Sequence, residues 1–308
     1  MEEVRAALAR IPRFAGRDLA GARIERLGGL TNRVYRVTLD GESFCLRIPG
    51  KGTEDYIDRR VEATNARAAA AAGISPEVLF FDPEDGLMLT RFLEGVVTMT
   101  PELFARREGA VERAAATLRR LHRKGGNFAF HFDLFSMIDD YLGVIAKRKA
   151  TLPEGYHELV NEAEAVREAL AAHPVALAPC HCDPLCENFL DTGARMWIVD
   201  WEYSGMNDPM WDLGDLSVEA NFTPEQDEAL LAAYFGGPPD PFDRGRMVVY
   251  KAMCDLLWTL WGLIQHADGN PAEDFWAYAL GRFERCKALM ASSEFPRHLE
   301  AVRHGPGG

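Results

Sequence analysis

From residue 22 onward, apolar and polar positions alternate. In "ARIERLGGLTNRVYRVTLDGESFCLRIPG", Val34, Val37, Phe44, Leu46 and Ile48 stand among polar residues and turn signals at "GG" and "DG", the pattern of a meander of antiparallel strands. The spacing then lengthens. "EDYIDRRVEATNARAAAAAGI" is rich in Ala, Arg and Glu and stops at Gly73, which predicts a helix with a glycine C-terminal signal. "EVLFFDPEDGLMLTRFL" predicts two more strands around the turn "DPEDG". Strands, helix and strands make a compact α+β unit ending near residue 94.

Beyond that unit helical spacing dominates. "PELFARREGAVERAAATLRRLHRKG" and "MIDDYLGVIAKRKATL" are amphipathic, and "PEQDEALLAAYFG" opens with Pro and acids, as helix first turns do. "RGRMVVYKAMCDLLWTLWGLIQHA" predicts a long, mostly apolar helix, and two short β-like pieces, "ENFLD" and "RMWIVDWE", lie between the helices. Neither an internal repeat nor a low-complexity linker interrupts the chain, so two lobes in close contact are expected.

Composition narrows the class. With 308 residues, 47% hydrophobic and 26% charged, the chain reads as a globular protein of one large domain or two lobes. Uncharged stretches such as "HPVALAPCHC" contain Pro and His and fall well short of the ~20 apolar residues that span a bilayer, so no membrane insertion is expected. "MEEVRAALARIPRF" scatters acids and arginines through its apolar positions, unlike a secretory signal, and a cytoplasmic protein is expected. The 34 basic and 47 acidic residues leave a net charge of −13, which disfavours nucleic acid as a partner and suits a cationic small substrate. Six cysteines without an export signal predict reduced thiols. Oligomeric state leaves no mark in the sequence.

The candidate chemistry concentrates in "CHCDPLCENFL", residues 180 to 190. Cys180, Cys182 and Cys186 with His181 offer soft metal ligands, but structural zinc sites pair two short knuckles, and no second CxxC or HxxxH appears. His181, Asp183 and Asn188 follow another pattern, H-x-D-x-x-x-x-N. In kinase catalytic loops an Asp at that spacing accepts the proton of the substrate hydroxyl and the Asn binds magnesium. Twelve residues after Asn188, Asp200 ends the apolar run "MWIV", where a β-hairpin would return a second magnesium ligand to the same place. Each acid alone could equally be a solvated surface charge; it is the ordered set, following a β-rich lobe, that points to phosphoryl transfer. GxxxxGK[ST] and GxGxxG are both absent, which removes P-loop and Rossmann readings. The "GGLTN" turn offers a different phosphate cradle. Gly28 and Gly29 permit close backbone approach, Leu30 lies between them and the polar pair, and Thr31 and Asn32 can donate to phosphate oxygens. Arg47 is the expected cation for the α- and β-phosphates of ATP, and Glu62 is placed to orient it.

Taken together these residues resemble the choline/ethanolamine kinase family, within the aminoglycoside-phosphotransferase-like kinases. The resemblance runs from "GGLTNRVYRV" and "CLRIPG" through the catalytic loop to "VDWEYSGMNDPMWDLGDLSVEANF" and "DLLWTLWGLIQ". It implies a two-lobed, protein-kinase-like α+β fold: a β-rich nucleotide-binding lobe over residues 1–94 and a mostly helical catalytic and substrate-binding lobe over 95–308. It further implies Asp183 as catalytic base, Asn188 and Asp200 as Mg²⁺ ligands with Glu202 helping to set the metal site, and His181 as a brace for the loop. Cys182 and Pro184 depart from the Asn and Leu that related bacterial sequences carry there, which bears on loop conformation more than on activity.

A quaternary ammonium cannot donate a hydrogen bond and is recognised by aromatic faces and a nearby acid. Trp258 and Trp261 are three apart on one helix face, and core packing is the ordinary reading of such a pair. The resemblance implies instead a cage for choline or ethanolamine from Tyr203, Glu219, Trp258, Trp261, Tyr278 and Phe275. The expected reaction is transfer of the γ-phosphoryl group of ATP to the alcohol. Thiamine, an aminoglycoside or another amino alcohol as substrate, a nucleotide-binding pseudokinase and a zinc protein are the alternatives.

Overall fold

The computed structural model describes residues 2–28, 32–50 and 57–307. Helix α1 (Glu2–Ala9) leads into strands β1 (Arg23–Gly28), β2 (Arg33–Leu39) and β3 (Glu42–Ile48), followed by α2 (Arg59–Ala71), β4 (Val78–Phe81) and β5 (Met88–Arg91). The five strands form one antiparallel sheet in the order β1-β2-β3-β5-β4. Alternation works as the sequence predicts: Val37, Leu39, Phe44 and Leu46 turn inward to a core shared with Val4, Leu8, Ile11 and Phe14. The first fourteen residues are therefore a packing element of the sheet, with Phe14 edge-on to Phe44 at 5.5 Å. Asp58 caps α2 by accepting from the backbone N–H groups of Arg60 and Val61, which starts the described helix at Arg59. The buried Ala66 and Ala69 of α2 belong to the core of the C-terminal half.

Strand β6 (Val97–Thr98) already pairs outside the first sheet. It is followed by α3 (Pro101–Arg106), α4 (Ala110–Lys124), α5 (Leu134–Arg148), α6 (Tyr156–Ala172), β7 (Ala178–Cys180), β8 (Phe189–Asp191), β9 (Met196–Ile198) and β10 (Gly205–Asn207). Helices α7 (Pro209–Glu219), α8 (Pro224–Phe235), α9 (Pro241–Ala267), α10 (Phe275–Met290) and α11 (Phe295–His304) complete the chain. Two small sheets, β6-β8-β9 and β10-β7, carry the loops at the lobe junction. The amphipathic stretch 101–125 is two helices, because Gly109 enters α4 with φ +69°, a conformation that ends a right-handed helix.

Helix α9 is the axis of this half, packed by α5, α7, α10 and α11. The helix is long enough and, at a mean hydropathy of 1.4, apolar enough to cross a membrane, yet 83% of that apolar window is buried inside the protein. Each Leu or Met it removes from water contributes ~1.5–3 kcal/mol, so its apolarity is accounted for by the core. Besides the packing of Ala66 and Ala69 in the shared apolar core, the halves meet through polar contacts. Asn65 of α2 donates to Ser204 O (2.9 Å) and accepts from Ala129 N–H (2.9 Å), and Trp201 Nε1–H donates to Ser75 Oγ (3.1 Å).

Candidate active site

The loop between β7 and β8 is fastened from below by one carboxylate. Asp212, buried on α7, accepts the backbone N–H groups of His181 and Cys182, both at 2.8 Å. His122 Nε2–H donates to the same carboxylate (2.9 Å), while His122 Nδ1 meets Tyr234 OH (2.8 Å). This clamp holds Cys182 at φ +66°, a left-handed conformation that Asn adopts more readily than Cys, and so accommodates the departure seen in the sequence. His181 is fully buried, donates from Nε2 to Val199 O (2.9 Å) and packs edge-on against Trp201. Burial lowers its pKa, against the opposing pull of Asp212. Neither Asp212, His122 nor Tyr234 was singled out by the sequence reading, because nothing in "DLGDL" or "RRLHRKG" tells a brace from an ordinary buried acid or helix histidine.

Asp183 and Asn188 sit at the mouth of this loop. Asn188 Nδ2–H donates to Asp183 O (3.1 Å), and its Oδ1 takes no hydrogen bond from any described residue. The Asp183 carboxyl is held well above the ordinary range, first by burial, then by the negative charges of Glu219 and Asp200, with Arg282 opposing. The expected hairpin is β8–β9, with Phe189 opposite Ile198 and Val199 N–H donating to Asn188 O (3.0 Å). Asp200 follows at φ +67°, so Asn188 and Asp200 leave the same end of one hairpin.

Here the N-terminal half contributes its charges. Carboxylate oxygens of Glu62, Asp200 and Glu202 lie within 4.8 Å of one another. Arg47 ion-pairs with Glu62, approaches Asp200 (3.3 Å) and Glu202 (3.9 Å), and donates to Gly86 O (3.3 Å). Arg59, which the sequence reading passed over, pairs with Glu62 (2.7 Å) and with Glu202. Burial and the neighbouring Glu202 push Asp200 up to about 7, although Arg47 pulls the other way. For Glu202 the balance reverses: burial raises it, but Arg47 and Arg59 outweigh burial and the net shift is downward. Three crowded carboxylates, one of them resisting ionisation, are a donor set that a hard divalent cation fits. In the predicted phosphate turn, Gly28 closes β1 with open space where a side chain would stand. Asn32 is buried; its Oδ1 accepts from Gly50 N–H (3.4 Å) and its side chain bonds Glu202, which commits it to the acidic cluster. Gly29, Leu30 and Thr31 lie outside the described residues.

The aromatic residues fall into two groups on α9. Tyr203 packs edge-on to Trp258 (5.2 Å), and Trp258 Nε1–H donates to Asp215 Oδ2 (3.2 Å). Trp261 meets Tyr278 (5.7 Å) and Phe275 (5.5 Å). A Cβ on Gly262 would stand 2.7 Å from the Tyr278 ring, so this glycine lets α10 lay Tyr278 against α9. Phe275 is only 1% exposed and belongs to the packed interior behind Trp261. Glu219 is paired with Arg282, which also reaches Asp255 (3.1 Å) and stacks over Tyr278 at 4.7 Å; it is not an uncommitted anion. Arg285 closes the network on Asp255 at 2.6 Å.

Among the described residues the cysteines form no ligand cluster of their own. All six are free thiols, and burial raises Cys180, Cys182 and Cys186 away from the thiolate form that metal binding needs. Cys180 does approach His122 and Asp212, but Asp212 and His122 are already committed to the loop clamp.

Comparison with known proteins places the chain in a family. The family model described as "Phosphotransferase enzyme family" matches residues 23–248. A crystal structure of a choline/ethanolamine kinase family protein from Mesorhizobium loti is 62% identical, with a TM-score of 0.90 over 99% of both chains. The choline kinase LicA from Streptococcus pneumoniae superposes with a TM-score of 0.80 at 27% identity, covering 94% of this chain and 99% of that one. A LicA structure in complex with AMP gives 0.76 at 26% identity, over 93% and 97%. The chain has the two-lobed kinase-like fold and belongs to the phosphotransferase enzyme family, in its choline/ethanolamine kinase branch.

Proposed function

We propose that the protein transfers the γ-phosphoryl group of ATP to the hydroxyl of a small cationic alcohol, choline or ethanolamine. The observation that carries this reading is the position of Asp183, which feels Asp200 from the acidic cluster and Glu219 from the aromatic end. One carboxylate thus stands between a set of oxygen donors suited to a metal–triphosphate and a set of aromatic faces suited to an ammonium group. The kinship with choline/ethanolamine kinases and the AMP complex of LicA support the same assignment.

Residues 1–94 bind the nucleotide, and residues 95–308 carry the catalytic loop and the alcohol site. Asp183 orients the alcohol and accepts its proton as the oxygen attacks the γ-phosphorus in line with the departing ADP oxygen. Arg47, held by Glu62, supplies fixed positive charge toward the α- and β-phosphates. Asn188 Oδ1 and Asp200, with Glu202 beside them, are the groups that would hold Mg²⁺. When bound, that ion neutralises charge on the triphosphate. His181 and Asp212 keep the loop in place. Tyr203, Trp258, Trp261 and Tyr278 offer faces to the cationic head, for which ~2 kcal/mol or more is available at a desolvated site, and Phe275 supports Trp261 from behind. The net charge of −13 favours a cationic substrate and disfavours nucleic acid.

A screen of ADP release with choline, ethanolamine, thiamine and an aminoglycoside tests the proposal. Turnover with choline or ethanolamine is expected. Turnover confined to thiamine or the aminoglycoside would keep the kinase and discard the small cationic alcohol.

A further inference from the structure

The acids at the aromatic end are not equivalent. Glu219 and Asp255 share two cations, Arg282 and Arg285, a neutral set in which, of the buried polar atoms, only Arg282 Nε keeps no hydrogen-bond partner among the described residues. Arg282, 5% exposed, also covers the Tyr278 ring, so the protein's own guanidinium already occupies one face of that ring. Asp215 has no such partner. It is 0% exposed, and among the described residues no ion pair holds it, its Oδ1 has no hydrogen-bond partner and its Oδ2 accepts from the Trp258 indole alone. A buried carboxylate left in this condition is costly unless a cation or a proton reaches it.

We infer that Asp215 is the anion that meets the cationic head of the substrate, with Trp258 and Tyr203 as the adjoining aromatic faces and Glu219 serving mainly to hold Arg282. The inference rests on the reading that a small cationic alcohol is the substrate. Three features converge on it: the unpartnered oxygen, the indole fixed by the other oxygen of the same carboxylate, and the commitment of Glu219 elsewhere. Burial, then Glu219 and Asp183, hold the Asp215 carboxyl well above its ordinary range against the pull of Arg282, so without a cation the site favours its protonated form and a bound cation favours the carboxylate. The nearby Cys182 and Cys254 thiols are raised in turn by burial and by the acids around them, Asp215 included. A substrate cation entering between Asp215 and Asp183 supplies the charge that Arg282 gives to Glu219, and it brings the hydroxyl toward the base.

The Asp215→Asn variant separates charge from packing, because the amide oxygen still accepts from the Trp258 indole. With the full chain, Mg²⁺ and ATP, KM for choline should rise at least about thirtyfold, the lower end for leaving one member of a buried charge pair alone. KM for ATP should stay within about twofold and Tm should not fall. The neutral isostere of choline, with a quaternary carbon in place of nitrogen, should bind the variant at least as well as the wild type. Glu219→Gln should raise KM for choline less than Asp215→Asn and lower Tm more, through Arg282. A choline KM unchanged in Asp215→Asn, or a larger choline effect in Glu219→Gln, overturns the inference while leaving the kinase reading intact. Failure of the wild type to phosphorylate any cationic alcohol overturns both.

Discussion

Replacing Asp212 with Asn would change one atom and disturb the whole catalytic loop. The carboxylate is fully buried and accepts two backbone N–H groups at 2.8 Å and His122 Nε2–H at 2.9 Å. An amide can present only one oxygen, so at least one of these buried donors must face an NH₂ group. Losing a hydrogen bond to a charged acceptor costs ~1.5–3 kcal/mol, and stranding a buried donor adds ~1–3 kcal/mol. Removing a desolvated charge offsets part of that, which leaves a net loss of about 2–4 kcal/mol. The left-handed Cys182 would then relax, and Asp183 follows it directly in the chain. A displacement of the reacting group by ~1 Å costs on the order of 10²-fold in rate. Urea unfolding reads the first quantity as a lower midpoint at unchanged slope, and kcat/KM for choline reads the second. A variant within ~0.5 kcal/mol of the wild type and normal in turnover would refute the claim that Asp212 holds the loop.

Four further outcomes are expected. Asp183→Asn should lower kcat at least ~10²-fold with ATP binding, measured calorimetrically, little changed; normal turnover excludes it as the base. In the wild type, activity should be lost as pH falls, and because Asp183 is held above its ordinary 3.8 the acid limb of kcat/KM should lie above that value; a limb at or below it contradicts the burial argument. Trp261→Ala should raise KM for choline about tenfold, for ~1–2 kcal/mol of lost contact, with little change in KM for ATP, whereas Trp258→Ala, at a more deeply buried site, should also lose ~3–5 kcal/mol of stability; equal KM shifts for both substrates would make both tryptophans mere core. Cys186→Ser should retain activity, and metal analysis of the wild type should find no stoichiometric zinc; zinc loss with unfolding in the variant would restore the metal reading.

What was legible in the sequence was whatever short-range pattern controls. The β-meander follows from alternation, α9 from its long apolar run, and the β8–β9 hairpin from two short β-like pieces flanking "DTGA". The spacing of His181, Asp183 and Asn188 also survives folding, because a single loop carries all three. Long-range pairing was not legible. Asp212 reaches His181 across 31 positions and His122 across 90, and Glu219 meets Arg282 across 63; no local period encodes these partners. The same holds for Gly262, whose missing side chain matters only because Tyr278 packs there. Helices α1, α6, α7, α10 and α11 escaped a specific prediction, although α6 buries Tyr156, Leu159, Ala163, Val166 and Ala169 at helical spacing. The acidic cluster was half legible: Arg47, Glu62, Asp200 and Glu202 were named, but the buried Arg59 that ties two of them was not.

Product analysis tests the central claim most directly. Wild-type protein incubated with ATP, Mg²⁺ and choline, followed by phosphorus NMR beside Asp183→Asn under identical conditions, should convert the γ-phosphoryl signal into a phosphomonoester of choline in step with ADP. The variant should form almost none in the same time. Appearance of ADP with inorganic phosphate as the sole other product, or phosphocholine from the variant at the wild-type rate, would contradict it.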